Sequence, residues 1–361
     1  MRPGAMMDSE ELLKEYSKGR RKKYAFIIIC VILAVIVAWF SLVVGTRNLS
    51  MDDVVRIFIN HINGNVLPED EFDDRIIWEY RVPRALLAII AGCILALSGT
   101  VMQSVMKNPL ADPYTTGVSS GAVFGMAVAA VLGFKIGSRT TFDDIGILLN
   151  AVLYAMVPVL MIILMSPYFR KSPSTLILAG VATSYLFSSL TAILMVTTSA
   201  ETLAMVYHWE IGNLAELGWM PVYILSVLLL IGAGILWPMA NKLNLMSLDD
   251  KDAKALGLDG KNLRILCLVV LSFITASVVA FTGIIGFVGL VIPHIVRLVL
   301  GSDNKFIIPA AMAFGAFFLL ACDCISRMVD LSASIPIGVV TSFIGAPIFL
   351  FLIIKQKKSV W

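Results

Sequence analysis

Charged residues are scarce in this 361-residue chain, at 15%, whereas hydrophobic residues make up 58% and the mean hydropathy is +0.89. A soluble globular protein usually carries about 25% charged residues, so the composition excludes an ordinary soluble domain. The apolar residues fall in runs of roughly 18–25, which is the length that a helix needs to cross the hydrocarbon of a bilayer. We therefore predict an all-α, polytopic membrane protein.

Motifs for catalysis are lacking as well. The sequence contains no G-x-x-x-x-G-K-[ST] phosphate-binding loop and no His-Glu-x-x-His pair. No segment between the apolar runs is long enough to form a separate catalytic domain. We therefore expect that this chain is not an enzyme and that it holds no catalytic residue and no cofactor of its own.

Cysteine pairs and clusters of metal ligands are not evident either. The five cysteines lie inside apolar runs and form no C-x-x-C pair, so we interpret them as small buried packing residues. They are Cys30, Cys93, Cys267, Cys322 and Cys324. His294 has no second histidine, cysteine or carboxylate near it in the sequence. We interpret it as a hydrogen-bonded structural residue rather than as a haem or metal ligand, and we expect no metal site.

Ten membrane spans are predicted from the apolar runs. They cover residues 25–45, 81–104, 116–133, 146–166, 175–198, 221–240, 263–282, 285–300, 306–326 and 337–354. The first run follows four consecutive basic residues, as a signal peptide would. We interpret it as a span because it is too long for a signal peptide and no cleavage site clearly ends it.

The distribution of basic residues predicts the orientation. With the N-terminus in the cytoplasm, 20 of the 28 lysines and arginines fall in cytoplasmic segments, as the positive-inside rule requires. An even number of spans also keeps the basic C-terminal tail inside. The predicted organisation is a cytoplasmic tail over 1–24, a transmembrane domain over 25–354 and a cytoplasmic tail over 355–361, in the inner (cytoplasmic) cell membrane.

Two connecting loops are long enough to fold. The acidic outer loop 46–80 is predicted to form short helices over the membrane. In the cytoplasmic loop 241–262, Ser247 fits a helix N-cap with a carboxylate three residues later, and Gly257 fits the end of a short amphipathic helix. This loop either presents an apolar face to a cytoplasmic partner or is a plain connector.

Glycine, proline and polar residues are concentrated in three stretches at membrane depth, where irregular backbone is tolerated only when it is buried in protein or lines a water-filled path. These stretches are 81–117, 283–297 and 335–347. They contain, in this order, the patterns R-x-P-R, N-P-L-A-x-P, G-F-x-G-L-x-x-P-H-x-x-R and P-x-G-x-x-T…G-x-P.

These four patterns resemble the FecCD permeases of ABC importers for iron–siderophores, haem and vitamin B12, and the resemblance covers about residues 78–354. It implies a vitamin B12 importer permease-like fold of about ten transmembrane helices, paired with a second copy or with a close paralogue. It also implies two cytoplasmic ATPases, which bind ATP and Mg, and an external substrate-binding protein. Membrane lipid surrounds the assembly, and no nucleic acid is expected.

The resemblance assigns roles at the two membrane surfaces. Arg81, Arg84 and Arg327 match arginines at the outer surface that meet carboxylates of the binding protein. The alternative is that they reach lipid headgroups. Loop 241–262 matches the helices that contact the ATPases, and its expected contact residues are Leu248, Ala253, Leu256 and Gly257.

Other residues are expected inside the membrane. Six of them should bend or interrupt helices along the translocation path, because proline removes a backbone donor and glycine permits close packing. They are Gln103, Asn108, Pro109, Gly286, Gly289 and Pro293. Asp323 is an ionisable residue inside the ninth span, so it is either functional or the ion-pair partner of Arg327 one turn later.

The predicted function is therefore the permease of an ATP-driven importer of a metal chelate, with a ferric siderophore as the favoured cargo. Cobalamin, haem and molybdate or tungstate are alternatives within the same family. An ion-gradient-driven secondary transporter is the alternative from another class. It would need carboxylates or histidines at membrane depth as proton relays, and Asp323 is nearly alone there.

Overall fold

The computed structural model describes residues 9–47, 49–134, 143–165, 173–215, 217–248, 250–329 and 335–355, and within these ranges the regular structure is helical, without strands. Fifteen α-helices are found there. They are α1 Ser9–Val43, α2 Met51–Ile62, α3 Glu71–Arg75, α4 Val82–Met106, α5 Val118–Leu132, α6 Asp143–Met165, α7 Pro173–Val196, α8 Ala200–Glu210, α9 Trp219–Leu236, α10 Ala240–Leu245, α11 Asp250–Ala255, α12 Gly260–Thr282, α13 Val288–Leu300, α14 Asn304–Val329 and α15 Ile337–Lys355.

Each of the ten predicted spans corresponds to one helix. Eight helices within the described ranges are long and apolar enough to cross a membrane, namely α1, α4, α6, α7, α9, α12, α14 and α15. The other two, α5 and α13, are apolar but have only 15 and 13 residues. Helix α1 begins at Ser9, so much of the segment predicted as an N-terminal tail is helix continuous with the first span.

Helix α4 is the centre of the bundle, and most of its side chains are buried. Glycines allow its backbone to approach two neighbours directly. A Cβ atom at Gly92 would overlap the carbonyl oxygen of Gly315 in α14, and one at Gly99 would overlap the carbonyl oxygen of Gly289 in α13. Small residues at helix contacts provide van der Waals packing in membranes, where lipid removes the usual hydrophobic drive between helices.

A second group of helices, α5, α6 and α7, packs beside this centre, and α12 contacts both groups. Gly121 and Gly125 on α5 face the α6 backbone. A Cβ atom at Gly121 would lie 2.6 Å from the backbone carbonyl oxygen of Tyr154, and one at Gly125 would lie 2.5 Å from that of Asn150. The glycine-rich sequence of α5 is thus explained by close helix packing.

The two ends of the bundle differ, and we name them after the short helices that they carry. At the α2 end, the loop predicted over 46–80 folds as α2 and α3, followed by a π-helical turn over Ile76–Arg81 that continues into α4. Trp78 lies at its centre, with its ring 5.2 Å from Phe58 and 4.2 Å from His61. The prediction of short helices in this loop is confirmed. The α11 end carries α10 and α11.

Helices α1 and α14 lie side by side and run in the same direction. Tyr24 near one end of α1 packs edge-on against Phe306, with the ring centroids 5.7 Å apart. At the other end, Arg327 of α14 contacts Ser41 of α1. The basic residues that precede the first span therefore lie at the α11 end.

The contact between α4 and α13 predicts a stability effect. Replacing Gly99 by alanine places a methyl group against backbone that no rotamer change can move, so we expect the free energy of unfolding to fall by about 1–3 kcal/mol. Gly234→Ala on α9 is the matched control, because no heavy atom lies within 4 Å of a Cβ atom there. Thermal unfolding of the purified variants in detergent measures the effect. Equal midpoints for both variants would contradict this description of the contact.

Candidate functional site

Three chain segments meet backbone to backbone inside the bundle, and we call their meeting point the junction. They are residues 209–213 at the end of α8, residues 282–287 from the end of α12 to the start of α13, and residues 335–338 at the start of α15. The Asn213 N–H donates to the Thr282 carbonyl (2.7 Å), and the Ile284 N–H donates to the Glu210 carbonyl (3.2 Å). Backbone groups that no helix satisfies are thus paired across segments, as irregular backbone at membrane depth requires.

Glycines make the junction possible. Gly212 and Gly283 have φ angles of +81° and +69°, in the left-handed region that glycine adopts without penalty. A Cβ atom at Gly212 would overlap the carbonyl oxygen of Ile284, and one at Gly338 would overlap that of Ile211. Gly283 and Gly338 were identified in the sequence only as part of glycine-rich stretches, and Gly212 was not identified at all.

A cavity of about 740 Å³ opens beside the junction. Its walls come from the end of α8, the link before α13 and one face of α15, and they are mostly apolar. Among the described residues that line it, Glu210 is the single ionisable one, and Ser342 supplies a hydroxyl. The cavity can therefore hold a bulky group with a mainly apolar surface, and it offers few hydrogen-bond donors.

The residues predicted along a translocation path separate into three sets. Gly286 lines the cavity. Gln103, Gly289 and Pro293 are buried in and around the contact between α4 and α13, where the Gln103 side-chain amide donates to the Leu290 carbonyl (3.1 Å). Their present role is helix packing, and their part in a path stays a prediction.

Asn108 and Pro109 belong to the turn that ends α4. Lys107 at the helix C-terminus has a φ of +50°, and the Asn108 side-chain oxygen accepts the Leu110 N–H at 2.9 Å. These contacts reverse the chain so that residues 113–116 pack against α7. The pair therefore terminates a helix, and its part in a path likewise stays a prediction.

Phe287 is the strained residue of the site. Its φ is +68°, which is rare for a bulky residue, and it stands immediately before α13. Its side chain occupies the space that a side chain at Gly345 of α15 would need, since a Cβ atom there would lie 2.5 Å from the Phe287 Cβ. The sequence pattern marked the neighbouring glycines but gave no sign of this conformation.

Asp323 is fully buried at the α2 end and binds two arginines. The Arg84 Nε–H donates to Asp323 Oδ1 at 2.8 Å, and the Arg327 guanidinium lies 2.9 Å from Asp323 Oδ2. The ion pair expected one helical turn apart is present, and Arg84 extends it to a triad that joins α4 to α14. Opposite charges compensate a burial that would otherwise cost several kcal/mol per ion.

Arg81 and Arg327 bind the C-terminal end of α1. Arg81 Nη1 donates to the carbonyls of Leu42 (2.5 Å) and Val43 (3.0 Å), while Arg327 Nη1 donates to those of Ser41 (2.9 Å) and Val44 (2.8 Å). The last carbonyls of a helix lack partners within it, and cations are favoured there.

The burial of these arginines is relevant to their two expected roles, which are docking of a binding protein and contact with lipid headgroups. Arg81 and Arg327 are each 6% exposed, so their side chains are directed into the protein rather than towards lipid headgroups. Arg84 is the least buried of the three docking candidates, with 13% of its side chain exposed. Docking of a binding protein by the three arginines stays a prediction, and each of them also has a structural partner.

The loop at the α11 end combines buried and exposed apolar residues. Ala253 and Leu258 are buried, whereas Leu248 and Leu256 are 40% and 61% exposed. Gly257 is exposed and follows α11 with a φ of +81°, so the predicted glycine termination is present. Of the four expected contact residues, Ala253 anchors the loop, and the other three are accessible to a partner.

The predicted cap of α11 is wrong. The helix begins at Asp250, and the Ser247 hydroxyl instead donates to the Asn244 carbonyl at 2.6 Å, so Ser247 belongs to the turn that ends α10. Two further contacts hold the loop. Lys107 Nζ donates to the Leu248 carbonyl at 2.7 Å, and the Asn304 N–H donates to the Asn244 side chain at 2.8 Å.

A buried polar network supports this end of the bundle. Arg297 of α13 donates to the Ser104 hydroxyl (2.7 Å) and to the Thr100 carbonyl (3.1 Å) of α4. Ser104 in turn donates to the Asn304 side chain of α14 at 2.9 Å. The sequence placed Arg297 at the end of a span but could not identify its partners, which are distant in the chain.

His294 lies buried between α13 and α15, with its ring 6.2 Å from that of Phe349. Within the described ranges, no group of three histidines, cysteines or carboxylates is placed to hold a metal ion. Its aromatic packing fits the structural role that we expected, but the buried Nε2 has no hydrogen-bond partner among the described residues, so the expected hydrogen bond is not found at that nitrogen.

Helix α8 was missed in the sequence, which placed it in a connection between spans. Its N-terminal signal is present nevertheless, since the Ser199 hydroxyl accepts the Thr202 N–H at 3.3 Å and Glu201 lies in the first turn. Because α8 ends at the junction, this omission concealed one wall of the cavity.

Comparisons with known proteins agree with this architecture. The family model for the FecCD transport family matches residues 32–355. The "Putative ABC transporter permease protein MJ0087" of Methanocaldococcus jannaschii is 35% identical, over 98% of this chain and 100% of that protein. The molybdate import system permease protein MolB of Haemophilus influenzae is 35% identical, over 91% of this chain and 95% of MolB.

A solved structure shares the fold at similar identity. It is described as "An inward-facing conformation of a putative metal-chelate type ABC transporter" and superposes with a TM-score of 0.79 at 34% identity, covering 91% of this chain and 98% of that one. The helical architecture and the family match over 32–355 lead to one conclusion. The chain is a multi-pass membrane protein that belongs to the FecCD transport family, whose members are transport components rather than enzymes.

Proposed function

We propose that this chain is the membrane-spanning permease of an ATP-driven ABC importer, and that it works as a pair with a second copy or a close paralogue. The observation that carries the proposal is the loop at the α11 end. It presents Leu248 and Leu256 to solvent. Lys107 binds the loop backbone at the Leu248 carbonyl, and the Asn244 side chain binds the start of α14. Exposed apolar side chains on a fixed loop are suited to docking a protein partner.

The partner at this loop is an ATPase subunit in our proposal, and ATP and Mg are bound there rather than on this chain. Each permease copy then contacts one of two ATPases. Movement of the ATPases shifts the loop, and the loop passes the movement to α4, α13 and α14 through the network of Arg297, Ser104 and Asn304. The α11 end and both termini are accordingly cytoplasmic, in a cell (inner) membrane.

The cargo in our proposal is a metal chelate, with a ferric siderophore favoured. The cavity beside the junction supports this assignment because it is large, mostly apolar and open on the surface of a single chain, where a second copy can complete it. A small oxyanion needs several hydrogen-bond donors, which this lining does not provide. Cobalamin and haem share the required bulk, and similarity to MolB keeps molybdate as the contrasting test substrate.

Delivery from outside is assigned to a substrate-binding protein at the α2 end. Arg84 is the best-placed contact of the three predicted arginines because part of its side chain is exposed and Asp323 orients its guanidinium. A carboxylate of the binding protein can pair with the remaining donors of Arg84. Arg81 and Arg327 then support the surface by fixing the end of α1.

Substitution of the exposed loop leucine tests the ATPase contact. We expect Leu256→Asp to weaken co-purification with the ATPase at least tenfold and to reduce uptake similarly, because a carboxylate would be buried without a partner in the interface. Leu67→Asp is the matched control, since Leu67 is 41% exposed at the opposite end. Normal ATPase binding and uptake by Leu256→Asp would refute the proposed contact.

Neutralisation of Arg84 tests the docking site. Arg84→Gln leaves Asp323 paired with Arg327, and we expect about tenfold weaker capture of the loaded binding protein, with ATPase assembly unchanged. Arg75→Gln is the control, because Arg75 also lies at the α2 end but is 66% exposed in an ion pair with Glu79. Surface plasmon resonance on the reconstituted complex measures capture. Equal affinities for both variants would exclude Arg84 from docking.

Labelling tests the orientation. The native cysteines are buried or half-buried, and Lys254 on α11 is exposed, so Lys254→Cys provides a single accessible thiol. In intact cells we expect an impermeant maleimide to leave this thiol unlabelled and a permeant one to label it. Asn65→Cys, in the exposed loop of the α2 end, should give the opposite pattern for the impermeant reagent. Labelling of the Lys254→Cys variant by the impermeant reagent would overturn the proposed function.

A further inference from the structure

Basic side chains of α1 lie over aromatic rings of α1 and α14 at the α11 end. Lys23 of α1 places its ammonium group 4.6 Å from the ring centroid of Phe306 in α14. One turn earlier, the Arg20 guanidinium lies 5.6 Å from the ring of Tyr24, which itself packs edge-on against Phe306. Both cations are thereby held near α14 instead of extending freely into solvent.

A third segment completes this surface. The Trp237 indole, which follows α9, donates its N–H to the carbonyl of Lys305 at 3.3 Å, and the residue remains half exposed. Lys305 is itself exposed at the start of α14. We call this surface the basic–aromatic cluster, and it consists of Arg20, Lys23, Tyr24, Trp237, Lys305 and Phe306.

The cluster has an excess of positive charge. Among the described residues, no carboxylate forms an ion pair with Arg20, Lys23 or Lys305. The nearest acid in sequence is Asp303, whose side chain accepts hydrogen bonds from the Asn244 amide and from the Lys305 N–H. Within the part of the chain that the structure describes, these three cations are therefore available to an anion.

The position of the cluster identifies the kind of anion. The apolar run of α1 begins directly after Tyr24, so the cations lie where the helix leaves the hydrocarbon and meets the lipid headgroups. Tyrosine and tryptophan are enriched at this level, and basic clusters beside a span attract anionic lipids. We call the line of contact between α1 and α14 the seam. Phe26 of α1 and Phe314 of α14, with ring centroids 6.0 Å apart, extend it further into the membrane.

We propose that the basic–aromatic cluster binds the headgroup of an anionic phospholipid. The phosphate lies among Arg20, Lys23 and Lys305, the rings of Tyr24 and Trp237 flank the glycerol region, and the acyl chains follow the seam between α1 and α14. The lipid joins these two helices at the α11 end, whereas arginines join them at the α2 end. This site depends neither on the proposed cargo nor on which end of the bundle is cytoplasmic.

Native mass spectrometry of the purified full-length chain tests the site. The protein is titrated in detergent with tetraoleoyl cardiolipin, dioleoyl phosphatidylglycerol or dioleoyl phosphatidylcholine. We expect both anionic lipids to bind more tightly than phosphatidylcholine, and Lys23→Gln/Lys305→Gln to weaken their binding by about fivefold for each lysine removed. Lys254→Gln/Lys261→Gln, which removes the same charge at the same end, should bind as the wild type does.

A variant that keeps the charge and a competition with inorganic phosphate complete the experiment. Lys23→Arg/Lys305→Arg should restore binding, which distinguishes loss of charge from loss of folding, and thermal unfolding without lipid checks each variant. Excess inorganic phosphate should not displace the lipid, because the acyl chains contribute to binding. Equal lipid affinity of the two glutamine variants, no preference for anionic lipids, or displacement by phosphate would each overturn the proposal.

Discussion

The fold depends on the close approach of α4 to its neighbours at glycine. Contact of the Gly99 backbone with Gly289 brings α13 against α4, and contact of Gly92 with Gly315 does the same for α14. Only at this separation can the Gln103 amide reach the Leu290 carbonyl and Arg297 reach Ser104. The polar contacts in the interior therefore require the glycine contacts, because a wider separation would leave buried donors and acceptors unpaired.

The arginines at the α2 end each bind structural partners, and docking of a binding protein by them stays a prediction. A guanidinium can satisfy several acceptors at once because its donors are arranged in a planar fork. Arg327 uses this property to bind Asp323 and two carbonyls of α1. The end of helix α1 is therefore fixed by Arg81 from the turn before α4 and by Arg327 from α14.

Much of the fold could be predicted from the sequence, because a membrane span imposes a length and a polarity that composition alone reveals. All ten predicted spans correspond to helices, including the short α13. The hydrogen-bond partners of the arginines could not be predicted. The acceptors of Arg81 lie more than 30 residues away, and they are backbone carbonyls, which the sequence does not distinguish from other backbone carbonyls. Helix α8 was missed because it is short and mixed in polarity, and the docking and path roles remain predictions.

The attachment of the α11 loop has a mechanical consequence. Asn244 ties α10 to the first residue of α14, and that residue is linked through Ser104 to α4 and to Arg297 of α13. A force applied at Leu256 would thus be transmitted to α4, α13 and α14 instead of only bending the loop. In the proposed mechanism, this set of buried hydrogen bonds is what transmits movement of the loop to the interior of the bundle.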